Sequence, residues 1–171
     1  MLTVKEIRDR FSYDPATGVI TRKTDSHVKR WRAGMTAGGI NGQGYREIKI
    51  DGKSIGAHRI AWVIYYGDDA PEFIDHINRN PADNRIVNLR AATKSQNGAN
   101  RTALSNNKYG FKGCYWVPSQ AKNGEGKGKW RAQCRVNKKL IDLGKYDTVE
   151  AAQAAYNAFS ESVFGEFYAT S

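Results

Sequence analysis

The chain has little cysteine, no long apolar run and a shortage of acidic side chains, and each deficit excludes something. Its two cysteines, Cys114 and Cys134, belong to no C-x-x-C pair. A zinc ribbon is therefore excluded, and two thiols do not make a disulfide framework. No stretch approaches the ~18–20 apolar residues of a membrane span. The opening MLTVKEIRDRF sets charges where a signal peptide needs an apolar run. A cytoplasmic protein without a membrane partner is expected. Seventeen Asp and Glu stand against 27 Lys and Arg, a formal net charge of +10. That balance favours an anionic partner, nucleic acid ahead of an acidic membrane.

What is present suits a folded protein of one domain or two small ones, with 171 residues, 40% of them hydrophobic and 11% aromatic. The positive charge is concentrated. Between residues 101 and 145 eleven Lys and Arg face only Glu125 and Asp142, interleaved with Tyr109, Phe111, Tyr115, Trp116 and Trp130. Solvated charge runs rarely carry so many aromatics, so this reads as a folded basic surface.

Local patterns place the elements. Thr3 and Glu6 form a capping box before Val4, Ile7 and Phe11 on one face of a short helix. Residues 14–18 (DPATG) read as a turn into a strand over 19–22. Tyr45–Ile50 alternates towards Asp51-Gly52, a hairpin signal, and 53–55 returns. AHRIAWVIYY, 57–66, reads as a helix apolar nearly all round, ended by Gly67. A short strand over 73–76 leads into a polar loop, and Thr93 with Gln96 caps a helix to about Arg101. Ser105-Asn106-Asn107 reads as a linker. Beyond it Trp130, Ala132, Cys134 and Val136 alternate with Arg131, Gln133 and Arg135, giving a strand with one apolar and one basic face. Asn137-Lys138-Lys139 turns the chain into a strand over 140–143. Val149, Ala152, Tyr156, Phe159 and Val163 then recur at helical spacing.

The segment FIDHINRNPADNRIVNLRAATKSQNGAN, 73–100, carries the chemistry. Phosphodiester hydrolysis needs a base for water, a cation at the phosphate and relief for the leaving oxygen. The neutral imidazole of His76 suits the first task. A carboxylate, Asp75, and an amide oxygen suit a hard cation, which prefers oxygen ligands. Asn84 reads as shaping the turn. His58, on its apolar helix, reads as a satisfied buried histidine, and His27 as solvent-exposed.

These residues resemble the His-Asn-His (HNH) nucleases of ββα-metal fold, and more narrowly the phage and intron homing endonucleases. The matching pieces are Asp75-His76, the run from Asn84 to Arg90, and Ser95-Gln96-Asn97. The resemblance implies that His76 is the general base, that Asp75 and Asn97 bind one divalent metal, and that Asn88 braces the loop and orients the histidine. Asn97 stands where the family name has His, and its amide oxygen favours Mg²⁺, with Mn²⁺ also suitable and no structural zinc.

Residues 108–168 resemble the plant Apetala/ethylene-response-factor DNA-binding domain, through YGFKGCYW, GKWRAQCR, LGKYDT and the EAA-x-AY run. The resemblance implies a three-stranded sheet laid in the major groove. Lys112, Tyr115, Lys129, Arg131, Gln133 and Arg135 would then face DNA, with Lys138 and Lys139 on phosphates. Asp142 replaces the family's aromatic in the third strand.

The expected protein is α+β: an HNH nuclease domain over 1–104 (core motif 57–102, extension 1–56), then a three-stranded antiparallel sheet packed on one helix over 105–171. Its expected partner is double-stranded DNA. As a monomer with one active site it would nick, leaving 5′-phosphate and 3′-hydroxyl ends, in a bacterial host of a phage. The rival is a DNA-binding regulator with an inert nuclease motif; RNA binding has support only from charge. Arg22, Lys23, Lys29, Arg30 and Arg32 are candidate additional DNA contacts.

Overall fold

The computed structural model describes residues 2–25, 31–102, 107, 109–119 and 127–169. His27, Lys29, Arg30, Ser105 and Asn106 lie outside the described residues. Packing divides the chain into two compact units, Met1–Ala92 and Thr93–Ser171. This differs from a boundary at 104/105: the helix that carries Asn97 packs with the C-terminal module.

In the first unit α1 (Val4–Arg10) begins at Thr3, which exchanges the expected reciprocal bonds with Glu6. The chain then extends into β1 (Phe11–Tyr13), paired antiparallel with β2 (Ile20–Arg22). Phe11 starts this strand instead of closing the helical face, and it is 1% exposed. Burial was the firm part of that expectation, and the neighbouring strand supplies it.

Strands β3 (Gly39–Ile40), β4 (Arg46–Ile50) and β5 (Lys53–Gly56) form a sheet in that order, with Asp51-Gly52 at the β4–β5 turn. Helix α2 (Ala57–Tyr66) buries Ala57, Ile60, Ala61 and Val63 and ends at Gly67. It is not buried all round. Tyr65 and Tyr66 are each 49% exposed, their apolar rings carrying a polar tip that tolerates water. Strands β6 (Phe73–His76) and β7 (Leu89–Ala92) pair as a hairpin, setting Asp75 opposite Arg90 and His76 opposite Leu89. Ile74 and Leu89 join Ile7, Phe11, Ile20, Ile48 and Ile60 in one core, so the hairpin is anchored by burial on either side of its loop. Each such side chain contributes about 1.5–3 kcal/mol.

In the second unit α3 (Lys94–Ala99) has the expected Thr93/Gln96 capping box. Strands β8 (Cys114–Val117), β9 (Lys129–Val136) and β10 (Lys139–Tyr146) form an antiparallel sheet in the order β10-β9-β8. Helix α4 (Val149–Phe164), capped by Thr148, packs on it. Its buried stripe is Ala152, Tyr156, Ser160 and Phe164, while Val163 is 42% exposed. Ser160 is admitted because its hydroxyl lies 3.7 Å from the Cys134 sulfur. Both cysteines are free and buried. Among the described residues no helix is long and apolar enough to cross a membrane.

Candidate active site

The β6–β7 hairpin holds two polar side chains in the interior. Asp75 is 3% exposed and His76 6%. Burial of an ionised carboxylate demands a partner. Asp75 Oδ2 accepts from Arg90 Nε at 2.9 Å and Nη2 at 2.8 Å, a fork delivered by its cross-strand neighbour. His76 faces elsewhere. Its Nε2 lies 3.2 Å from Asn84 Oδ1, and its ring meets those of His58 (centroids 5.3 Å apart) and Tyr45 (5.8 Å) edge-on.

The loop between the strands keeps its shape through its own asparagines. Asn88 Oδ1 accepts from Asn78 N at 2.9 Å, and its Nδ2 donates to Asp83 O at 2.8 Å. These two bonds tie Asn88 into the loop. The direct bond to His76 comes instead from Asn84, which is 2% exposed. Reading Asn84 as a turn residue missed this. The available signal was the density of asparagines in so short a loop, more than turn geometry requires. Asp83 forks with Arg85, which holds its carboxyl down to about 2.

Burial sets the proton affinities. Desolvation lowers the His76 pKa against the opposing pull of Asn84 and Asp75, which leaves a neutral imidazole near pH 7. His58 is pushed down to about 4, again chiefly by burial. Contrary to the sequence reading it is not satisfied: among the described residues its buried Nδ1 has no hydrogen-bond partner. Its ring closes over Gly56, where a Cβ would fall 2.5 Å from Cε1.

Asn97 sits on α3 in the second unit, half-buried, with no side-chain hydrogen bond seen among the described residues. Among the described residues no three His, Cys, Asp or Glu side chains gather around one point. One anionic carboxylate and one amide are hard oxygen donors. As donor types, each suits a hard cation better than a soft-ligand metal.

Residues 56–99 match the HNH endonuclease family. Over that segment the chain resembles HNH endonucleases. A protein of Acanthamoeba polyphaga mimivirus, described as the uncharacterized HNH endonuclease L560, is 30% identical over 114 residues, covering 66% of this chain and 54% of the relative. The chain therefore spans about half the length of that curated relative. No solved structure matches. HNH nucleases generally depend on a divalent metal.

The C-terminal sheet turns one face away from its core. Tyr115, Arg131, Gln133 and Arg135 alternate with buried Cys114, Ala132 and Cys134 and share that open face. Register adds Lys145, opposite Arg131, which the sequence reading missed because the bulge at Leu143 shifts the alternation. Two of its cations are engaged. Arg131 forks with Asp142 at 2.8 and 3.1 Å, and Lys129 pairs with Asp147. Lys138 and Lys139 are exposed at the hairpin tip. Lys112 is a correction. Its ammonium donates to Ala99 O and Arg101 O, capping the carbonyl end of α3, so it serves the fold and not the open face. In the first unit Arg22 packs over the Phe11 and Trp31 rings and Lys23 donates to Arg8 O. Both are tied to the scaffold.

Proposed function

We propose that this chain is a metal-dependent, homing-type DNA endonuclease, encoded by a phage and acting on a site in double-stranded DNA as a monomer that nicks. The observation that carries the reading is the HNH hairpin itself: a buried, neutral imidazole bonded to an amide, next to a carboxylate held by an arginine fork.

His76 takes the proton from the attacking water, a role for which its lowered pKa leaves the lone pair available. Asp75 and Asn97 are the residues assigned to hold the divalent cation, Mg²⁺ by the hardness of their oxygens. When bound, that cation supplies charge stabilisation at the phosphate and at the departing 3′ oxygen. Arg90 holds the Asp75 carboxylate in place, while Asn88 keeps the loop in shape. Hydrolysis in this sense leaves 5′-phosphate and 3′-hydroxyl ends. The C-terminal sheet, read as Apetala-like, presents Tyr115, Lys129, Arg131, Gln133, Arg135 and Lys145 to the duplex, with Lys138 and Lys139 on phosphates.

A supercoiled-plasmid assay tests this. Wild type with Mg²⁺ should convert supercoiled to open-circular DNA, EDTA should stop it, and His76→Ala should slow it by about 10²–10⁴-fold. Wild type that never nicks, or a variant that nicks as fast, overturns the mechanism.

A further inference from the structure

The HNH match begins at residue 56, with residues 1–55 ahead of it. The structure brings part of them against the catalytic loop. Tyr13, on β1, donates its hydroxyl to Asn84 O at 2.8 Å across 71 residues of chain. Ile86 N donates to Pro15 O at 3.1 Å. Gly18 lies so close that a Cβ there would stand 2.6 Å from Arg85 N and 2.7 Å from Asn84 C. The β1–β2 hairpin therefore clasps Asn84, Arg85 and Ile86 at three points, all on backbone that a loop would otherwise leave adjustable.

The clasped residue is the one bonded to His76. A neutral imidazole carries one proton, on either ring nitrogen, and the bond made by one nitrogen decides which. Asn84 Nδ2 donates to Ala82 O at 3.2 Å, which directs Oδ1 towards the histidine. A carboxamide oxygen only accepts, so Nε2 must carry the hydrogen and Nδ1 the lone pair. We infer that Asn84 is a positioning residue that holds His76 in the Nε2–H tautomer, and that Tyr13 and the β1–β2 hairpin hold Asn84 to that task. Residues 11–20 are then part of the catalytic apparatus.

Tyr13 is suited to its part. Half-buried, its phenol is pushed well above the usual range, chiefly by desolvation, so it remains a donor at any working pH. The Asn84 backbone carbonyl, buried with the rest of that residue, gains the partner that burial demands.

The inference rests on His76 being the base, but its test reads the tautomer directly. The full chain, labelled with ¹⁵N-histidine, is examined by long-range ¹H–¹⁵N correlation beside the plasmid assay. In wild type the His76 pattern should be that of the Nε2–H form. Asn84→Ala should mix the tautomers and slow nicking by about 10–100-fold, as loss of an orienting partner does, with DNA affinity unchanged. Asn84→Asp retains an acceptor and should restore the wild-type pattern. Tyr13→Phe should leave the fold intact and shift part of the population. An Nδ1–H pattern in wild type, or an unmixed pattern in folded Asn84→Ala, overturns the inference. Wild type with the expected tautomer but no nicking would overturn the nuclease reading and leave this one standing.

Discussion

Replacing His58 with Phe should flatten the acid limb of the first unit's stability. The His58 imidazole is held down to about 4 by burial, with the charges of His76 and Arg59 adding to it. In the unfolded chain the same group titrates near its ordinary 6.5. Above that pH neither state carries the proton, and His58 contributes no pH dependence. Between 6.5 and about 4 the unfolded chain takes up a proton that the folded unit refuses, so stability falls as pH drops. At about 1.4 kcal/mol per pH unit the loss nears about 3 kcal/mol by pH 4. Phe keeps a flat ring over Gly56 and removes the buried Nδ1, which has no partner among the described residues and so costs wild type about 1–3 kcal/mol. The variant should match or exceed wild type near pH 7.5 and lead by a growing margin towards about pH 4.5. Urea unfolding followed through the α2 amides of Ile60–Val63 reads the first unit apart from the second. His76 and Asp83 titrate in both proteins, so their effects cancel in the difference. Parallel stability curves, or a His58 imidazole titrating at its ordinary value by NMR, would refute the reasoning.

Two further outcomes are expected. Arg90→Ala removes the guanidinium that neutralises the buried Asp75 carboxylate, and the first unit should lose roughly 3–5 kcal/mol in urea unfolding; a loss under about 1 kcal/mol would mean that the fork is not what supports the charge. Asp142→Ala releases Arg131 from its fork and should raise DNA affinity in an anisotropy titration, steepening the salt dependence by close to one phosphate contact, about 0.9 in slope. An unchanged slope would show that Arg131 does not reach the backbone.

Local chemistry was readable in advance, and long-range burial was not. The capping boxes at Thr3 and Thr93, the Asp51-Gly52 turn and the alternation of β9 are settled within a few residues, and each is found where expected. Strand β7 has no such mark: Leu-Arg-Ala-Ala shows no useful period, and its extended form comes from pairing with β6. The same reason explains Lys112, which looks like one more cation of a basic surface until the carbonyl end of α3 is seen beneath it. Asp75, His76 and Asn88 stand out in the sequence as candidates because their spacing is a local signature. Asn84 does not, because an asparagine in a polar loop is ordinarily solvated. Asn84 is 2% exposed, and Tyr13 and Gly18, some seventy residues away in sequence, lie against its backbone while Pro15 bonds to Ile86 beyond it. A buried polar side chain needs partners supplied by the rest of the fold. The orientation of His76 is therefore written partly in a hairpin that, taken alone, offers nothing but a turn between two short strands.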